Sequence, residues 1–184
     1  MIRRTHTCAD LSEKNLNQKI SLNGWISKSR DLGGIIFIDL KDRYGLTQIV
    51  FNEKTNKKAF DLVKPLGLQD VIGISGTVVK RPNEAINHDL STGEIDVEVE
   101  KVEVYNESAP MPFDVNDRYS TMEENRLKYR YLDLRTSEMH KNLKIRHNTA
   151  LSIRNFLSKE NFLEIETPIL MKSTPEGARD FLVP

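Results

Sequence analysis

Cysteine is nearly absent from this sequence: Cys8 stands alone among 184 residues. That excludes an internal disulfide framework and any zinc site built from several thiolates, and leaves Cys8 as a plain buried or half-buried thiol. Net charge is missing too, since 27 basic side chains face 27 acidic ones. A polycation that coats nucleic acid through bulk electrostatics is therefore excluded, and any contact with RNA or DNA has to be local. No apolar run approaches the roughly 20 residues that cross a bilayer. The opening Met1-Ile2-Arg3-Arg4-Thr5-His6-Thr7 lacks the hydrophobic stretch of a signal peptide, so a cytoplasmic location without a membrane partner is expected. Pro, Ser and Gln are too sparse for disorder, while 38% of the residues are hydrophobic, enough for a core. The length suits one domain plus part of another, or two small ones, because domains usually hold roughly 100 to 150 residues.

From Lys19 to Asn106 the apolar residues recur mostly with period two, the repeat of strands whose side chains alternate between faces. Ile20, Leu22 and Ile26 share one face of a first strand, and Gly24 interrupts it as a bend or close-packing point would. Asp31-Leu32-Gly33-Gly34 supplies turn chemistry. Ile35 to Leu40 and Leu46 to Phe51 predict a hairpin with the polar tip Lys41 to Gly45. The period then changes, and Ala59, Phe60 and Val63 mark one side of a short helix. Val71 to Lys80 reads as a fourth strand, Arg81 to Thr92 as a polar loop, and Glu94 to Val104 as a fifth strand. Five strands with one helix between the third and fourth is the pattern of an OB-fold, the small Greek-key barrel used for oligonucleotides.

Pro110 and Pro112 break this pattern and mark a linker. Beyond it, Thr121 to Glu124 opens helical sequence, and Ser137 to Glu160 is the longest helix candidate. Its Leu143, Ala150, Ile153 and Leu157 form a stripe that needs a partner. Asn161 stops the helix, and Phe162 to Leu170 reads as a strand interrupted by Pro168. The expected organisation is a β domain over 1–108, a linker over 109–136 and the start of an α/β domain over 137–184.

Alternation sends Ile36, Ile38 and Leu40 inward on the second strand, and Phe37 and Asp39 outward. On the third strand Thr47, Ile49 and Phe51 point inward, so Gln48 points outward beside Phe37. An exposed ring beside an amide can stack on a base and meet its edge, and Arg30 can add a cation near phosphate or guanine. A ring covered by a neighbouring loop and a merely solvated amide fit the same periodicity. Glu94, Asp96, Glu98 and Glu100 read as a solvated strand face. In the segment from Asn125 to Arg135, basic and aromatic side chains interleave, which suits a phosphate backbone or the charged outside of an inter-domain helix. Lys172 to Phe181 packs charges around Pro175 and Gly177, as a mobile loop or a closing catalytic loop does.

Several strings together carry a resemblance. Gly24-Trp25, Arg30-Asp31-Leu32-Gly33-Gly34, Phe37-Ile38-Asp39-Leu40, Arg126 to Arg135, Phe162 to Pro168 and Ser173 to Pro184 are similar to the amino-terminal part of bacterial-type aspartyl-tRNA synthetases. The barrel strings are shared with asparaginyl and lysyl relatives, whereas Thr174-Pro175-Glu176-Gly177-Ala178-Arg179-Asp180 is particular to the aspartyl enzymes.

The resemblance implies an anticodon-binding barrel with Arg30, Phe37, Gln48 and Glu94 as its tRNA contacts. Phe37 would stack on the middle anticodon base, and Gln48 and Glu94 would read its edge. It implies that the helix from Ser137 and the strand through Pro168 form the first class II motif, which builds a homodimer interface. Glu176 would close over L-aspartate near its ammonium group. Leu32 leans toward members that charge only the aspartate tRNA. The family joins aspartate to ATP as an aspartyl-adenylate, with Mg²⁺ on the phosphates, and then charges tRNA(Asp). No second or third motif and no Gly-x-Gly-x-Gly string occurs up to Pro184, so the 184-residue chain alone is expected not to adenylate aspartate, to hold no catalytic or metal-ligating residue of its own and to bind neither cofactor tightly. The competing reading is a free-standing OB-fold protein that binds tRNA or single strands.

Overall fold

A computed structural model describes residues 1–169. The chain divides into two compact units, Met1–Met111 and Pro112–Pro184.

In the first unit β1 (Lys19–Asp31), β2 (Ile35–Lys41), β3 (Leu46–Asn52), β4 (Val71–Lys80) and β5 (Ile95–Asn106) close into a barrel in the order β1-β2-β3-β5-β4. All neighbours run antiparallel except β3 and β5, whose short parallel pairing of Ile49 with Val97 and Val50 with Glu98 closes the ring. The helix α1 (Lys57–Val63) lies between β3 and β4, with Ala59, Phe60 and Val63 buried. Asn56 caps it, its side-chain oxygen accepting from the Ala59 N–H at 3.1 Å. The sets expected on one face from alternation, Ile20, Leu22 and Ile26, then Ile36, Ile38 and Leu40, then Thr47, Ile49 and Phe51, are all buried, as are Ile95, Val97 and Val99 on β5.

Two local devices fix the hairpins. Gly24 is the close-packing point, since a Cβ there would lie 2.6 Å from the Lys41 carbonyl oxygen. At the β2–β3 tip the Asp42 carboxylate accepts from the N–H groups of Cys8, Tyr44 and Gly45 at 2.9, 2.7 and 3.0 Å. That gathers the amino-terminal segment onto the turn. Burial and the nearby Asp42 carboxylate push the Cys8 thiol far up, so it stays protonated as a core side chain.

The second unit holds α2 (Glu123–Lys128), α3 (Arg130–Asp133) and α4 (Ser137–Lys159). Asp133 is fully buried and accepts from Arg118 at 2.8 Å and from Arg130. The helix α4 runs over the expected span and has no buried residue; Leu143, Ile153 and Leu157 are all exposed. It ends as Asn161 requires. That residue takes φ +65, while its N–H donates to the Ser158 carbonyl and the Phe162 N–H to the Leu157 carbonyl, a paired left-handed stop.

Three expectations need correction. The predicted strand after Asn161 does not form over residues 162–168: these are exposed and without regular secondary structure, with no strand paired to them among the described residues. A strand needs a partner for its ladder, and alternating side chains alone supply none. Glu94 does not open the fifth strand but precedes it in a turn. The acidic face of β5 is not uniformly solvated either, because Asp96 is buried.

Candidate nucleic-acid interface

Arg30 shares sequence parity with Ile20, Leu22 and Ile26, and in an unbroken strand it would point into the core. A β-bulge between Ile26 and Lys28 prevents this. Ile26 still pairs with Leu40 on the inner face, but after the extra residue Lys28 pairs with Asp39 and Arg30 with Phe37 on the outer one. The same outer face continues across β3, where Gln48 pairs with Asp39 and Val50 with Phe37, and onto β5 through Asp96 and Glu98.

The Arg30 guanidinium lies over the Phe37 ring, 6.0 Å from its centroid, and its Nη2 is 3.7 Å from Asp39. Phe37 is half-buried and faces outward, as alternation predicts. A base approaching this ring meets a π-face and a cation held side by side, the combination that stacks on unpaired nucleotides and counters their phosphates.

Gln48 departs from expectation. Its position faces outward, yet the residue is only 9% exposed, because Arg30, Asp39 and Asp96 crowd around it. The carboxamide satisfies its surroundings when its oxygen accepts from Arg30 and its nitrogen donates to Asp96 at 3.1 Å. Turned the other way, the nitrogen reaches Asp39 at 3.4 Å. Asp96 in turn accepts from Nε of Arg81 at 2.7 Å, with the two side chains 12% and 3% exposed. Burial pushes the Asp96 carboxyl above the ordinary carboxylate range, against the pull of Arg81 and Arg30; the nearby Asp39 adds to the rise. Arg30 therefore bridges the Asp39 carboxylate and the Gln48 oxygen, and the Gln48 nitrogen leads on through Asp96 to Arg81.

The structure thus brings Arg30, Phe37 and Gln48 onto one face. Glu94 lies apart from their contacts, exposed, with its backbone oxygen accepting from the Arg81 N–H at 2.9 Å. Leu32, at the β1–β2 tip, is 70% exposed. Pro168 lies in the exposed, irregular segment after α4, and Glu176 falls outside the described residues. Sequence reasoning missed Asp96 and Arg81 as members of the site. The β4–β5 register, which pairs Val79 with Asp96, brings the two within reach, and the sequence carries no signal that chooses Asp96 over Glu94 as the partner of Arg81.

Two family models match the chain: the OB-fold nucleic acid binding domain over residues 20–105, and the class II tRNA synthetases (D, K and N) over residues 122–184. An OB-fold nucleic-acid-binding barrel joined to class II synthetase sequence is therefore the class of protein that this fold defines. Across its whole length the chain is 49% identical, over 183 residues, to the aspartate–tRNA(Asp/Asn) ligase of Dictyoglomus turgidum. It is 48% identical over 184 residues to the protein of the same name in Geobacillus sp. (strain WCH70). It spans 31% of the length of each. Among solved structures, asparaginyl-tRNA synthetase from Pyrococcus horikoshii, complexed with asparaginyl-adenylate, superposes with a TM-score of 0.80 at 26% identity, over 96% of this chain and 39% of that one. The chain is a homologue of the bacterial-type aspartate–tRNA ligases. Both relatives carry tRNA(Asp/Asn) in their names.

Proposed function

We propose that the barrel binds the anticodon of tRNA(Asp) and that the chain serves an aspartate–tRNA ligase, which joins L-aspartate to tRNA through an aspartyl-adenylate. The observation that carries this reading is the gathering of Arg30, Phe37 and Gln48 on one outer face of an OB barrel. Phe37 stacks on the middle anticodon base, Arg30 supplies the cation beside it, and Gln48 meets the base edge. Glu94, at the rim before β5, contributes a carboxylate that accepts from base amino groups.

In this reading the exposed face of α4 and the segment through Pro168 belong to a homodimer interface, and Glu176 holds the ammonium group of aspartate. ATP and Mg²⁺ serve the ligase as a whole, where the ion neutralises phosphate charge. Among the described residues no group of three or more His, Cys, Asp or Glu could hold a metal ion, and no step of this reading passes through one. Among them no helix is long and apolar enough to cross a membrane, and a cytoplasmic setting is part of the proposal.

The test is titration of a labelled stem-loop carrying the aspartate anticodon with the chain. Saturable binding that weakens when the middle anticodon base is replaced supports the reading. Equal affinity for both loops favours the free-standing single-strand binder instead.

A further inference from the structure

Gln48 is held between two groups of opposite and unambiguous hydrogen-bonding character. A guanidinium can only donate, and an ionised carboxylate can only accept. Arg30 on one side therefore calls for the amide oxygen, and Asp96 on the other calls for the amide nitrogen, 3.1 Å away. A carboxamide carries two N–H donors and two lone pairs. One of each is used internally, which leaves one donor and one acceptor in a fixed order. Asp96 is itself fixed by Arg81, whose side chain is 3% exposed and reaches it at 2.7 Å. The orientation of Gln48 is thus set by its protein neighbours, without any nucleotide.

We propose that Asp96 is a positioning residue for base reading: by accepting from the Gln48 amide it presents a single donor–acceptor edge of that amide to the anticodon. This rests on the reading of Gln48 as a base contact. With Asp96 replaced by Asn, the neighbour can donate as well as accept, its hold on the Gln48 nitrogen is lost, and Arg30 alone opposes the orientation in which that nitrogen turns to Asp39 at 3.4 Å, so both orientations of the edge are populated. A base that fits one orientation meets like against like in the other.

The experiment measures affinity of the full chain for two stem-loops, one with the aspartate anticodon and one with its middle base replaced, and takes their ratio. The variants are Asp96→Asn, Asp96→Glu, Gln48→Ala, and Gln48→Ala combined with Asp96→Asn. The ratio is expected to fall about tenfold in Asp96→Asn, as loss of a good bidentate contact implies. It should survive in Asp96→Glu, which remains an acceptor, and Asp96→Asn should change nothing further once Gln48 is Ala. A purely structural role for Asp96 would lower both affinities together and leave the ratio intact, which overturns the proposal. A ratio unchanged in Gln48→Ala, or absent in the unsubstituted chain, overturns the reading of Gln48 itself. Should Asp96→Asn not fold, Arg81→Met with Asp96→Met leaves no unpaired buried charge and takes its place; it too is expected to lose the ratio, and a retained ratio overturns the proposal.

Discussion

Arg81 and Asp96 form an ion pair, 2.7 Å from nitrogen to oxygen and with both side chains nearly buried, beside the Gln48 amide on the outer face of the barrel. Breaking such a pair leaves one buried charge without compensation. Arg81→Met should therefore destabilise the barrel by about 3–5 kcal/mol, while replacing both residues with Met should cost much less. Urea unfolding of the two variants at neutral pH checks both values.

The same pair predicts a pH dependence. Asp96 in the fold titrates above its ordinary range because burial outweighs the pull of Arg81. Folding thus favours its protonated form, so its contribution to stability is greatest below the unfolded value and declines as pH rises through the raised one. Removing Arg81 raises that value further. The penalty of Arg81→Met should accordingly shrink as pH falls from neutral, as Asp96 takes up a proton and no unpaired charge remains. A penalty independent of pH would mean that Asp96 stays ionised without its partner.

Gly24→Ala should destabilise the fold by about 1–3 kcal/mol, the range for forcing an atom into a packed site. The contact it meets, at 2.6 Å, is the Lys41 backbone oxygen, which cannot move without opening the β1–β2 ladder. Thermal unfolding of the variant is the measurement, and an unchanged midpoint would show that the ladder yields.

The exposed apolar stripe of α4 predicts concentration-dependent self-association of this chain. Sedimentation velocity should show a species heavier than the monomer, and Ile153→Lys together with Leu157→Lys should reduce it.

Much of the barrel was legible because a half-buried strand writes its burial into every second residue. The helix α1 announced itself by the switch to a period of three and four at Ala59, Phe60 and Val63. Arg30 stands beside the site by its place at the end of the first strand as well as by family likeness, but the bulge that turns it outward has no signature in Ser27 or its neighbours. Outward Phe37 followed from parity. The burial of Gln48 and Asp96 did not, because parity tells which way a side chain points and not what reaches over it; here Arg81, beyond the end of β4, does so. The segment after Asn161 reads as a strand by composition, and composition cannot supply the neighbour that a strand requires.

Phe37→Ala should weaken binding of the aspartate-anticodon stem-loop by about 1–3 kcal/mol, the worth of one base stacked on an aromatic ring, with the unfolding midpoint little changed. Arg30→Met should weaken it as well and flatten its dependence on salt, since one phosphate-facing cation is lost.

The most direct measurement is a map of backbone amide resonances of the chain, recorded while the aspartate-anticodon stem-loop is added. The account predicts that the shifts concentrate at Arg30, Phe37, Gln48 and their strand neighbours on the outer face of β1, β2 and β3. Shifts confined to α4 or to the opposite side of the barrel, with those three residues unmoved, would contradict it.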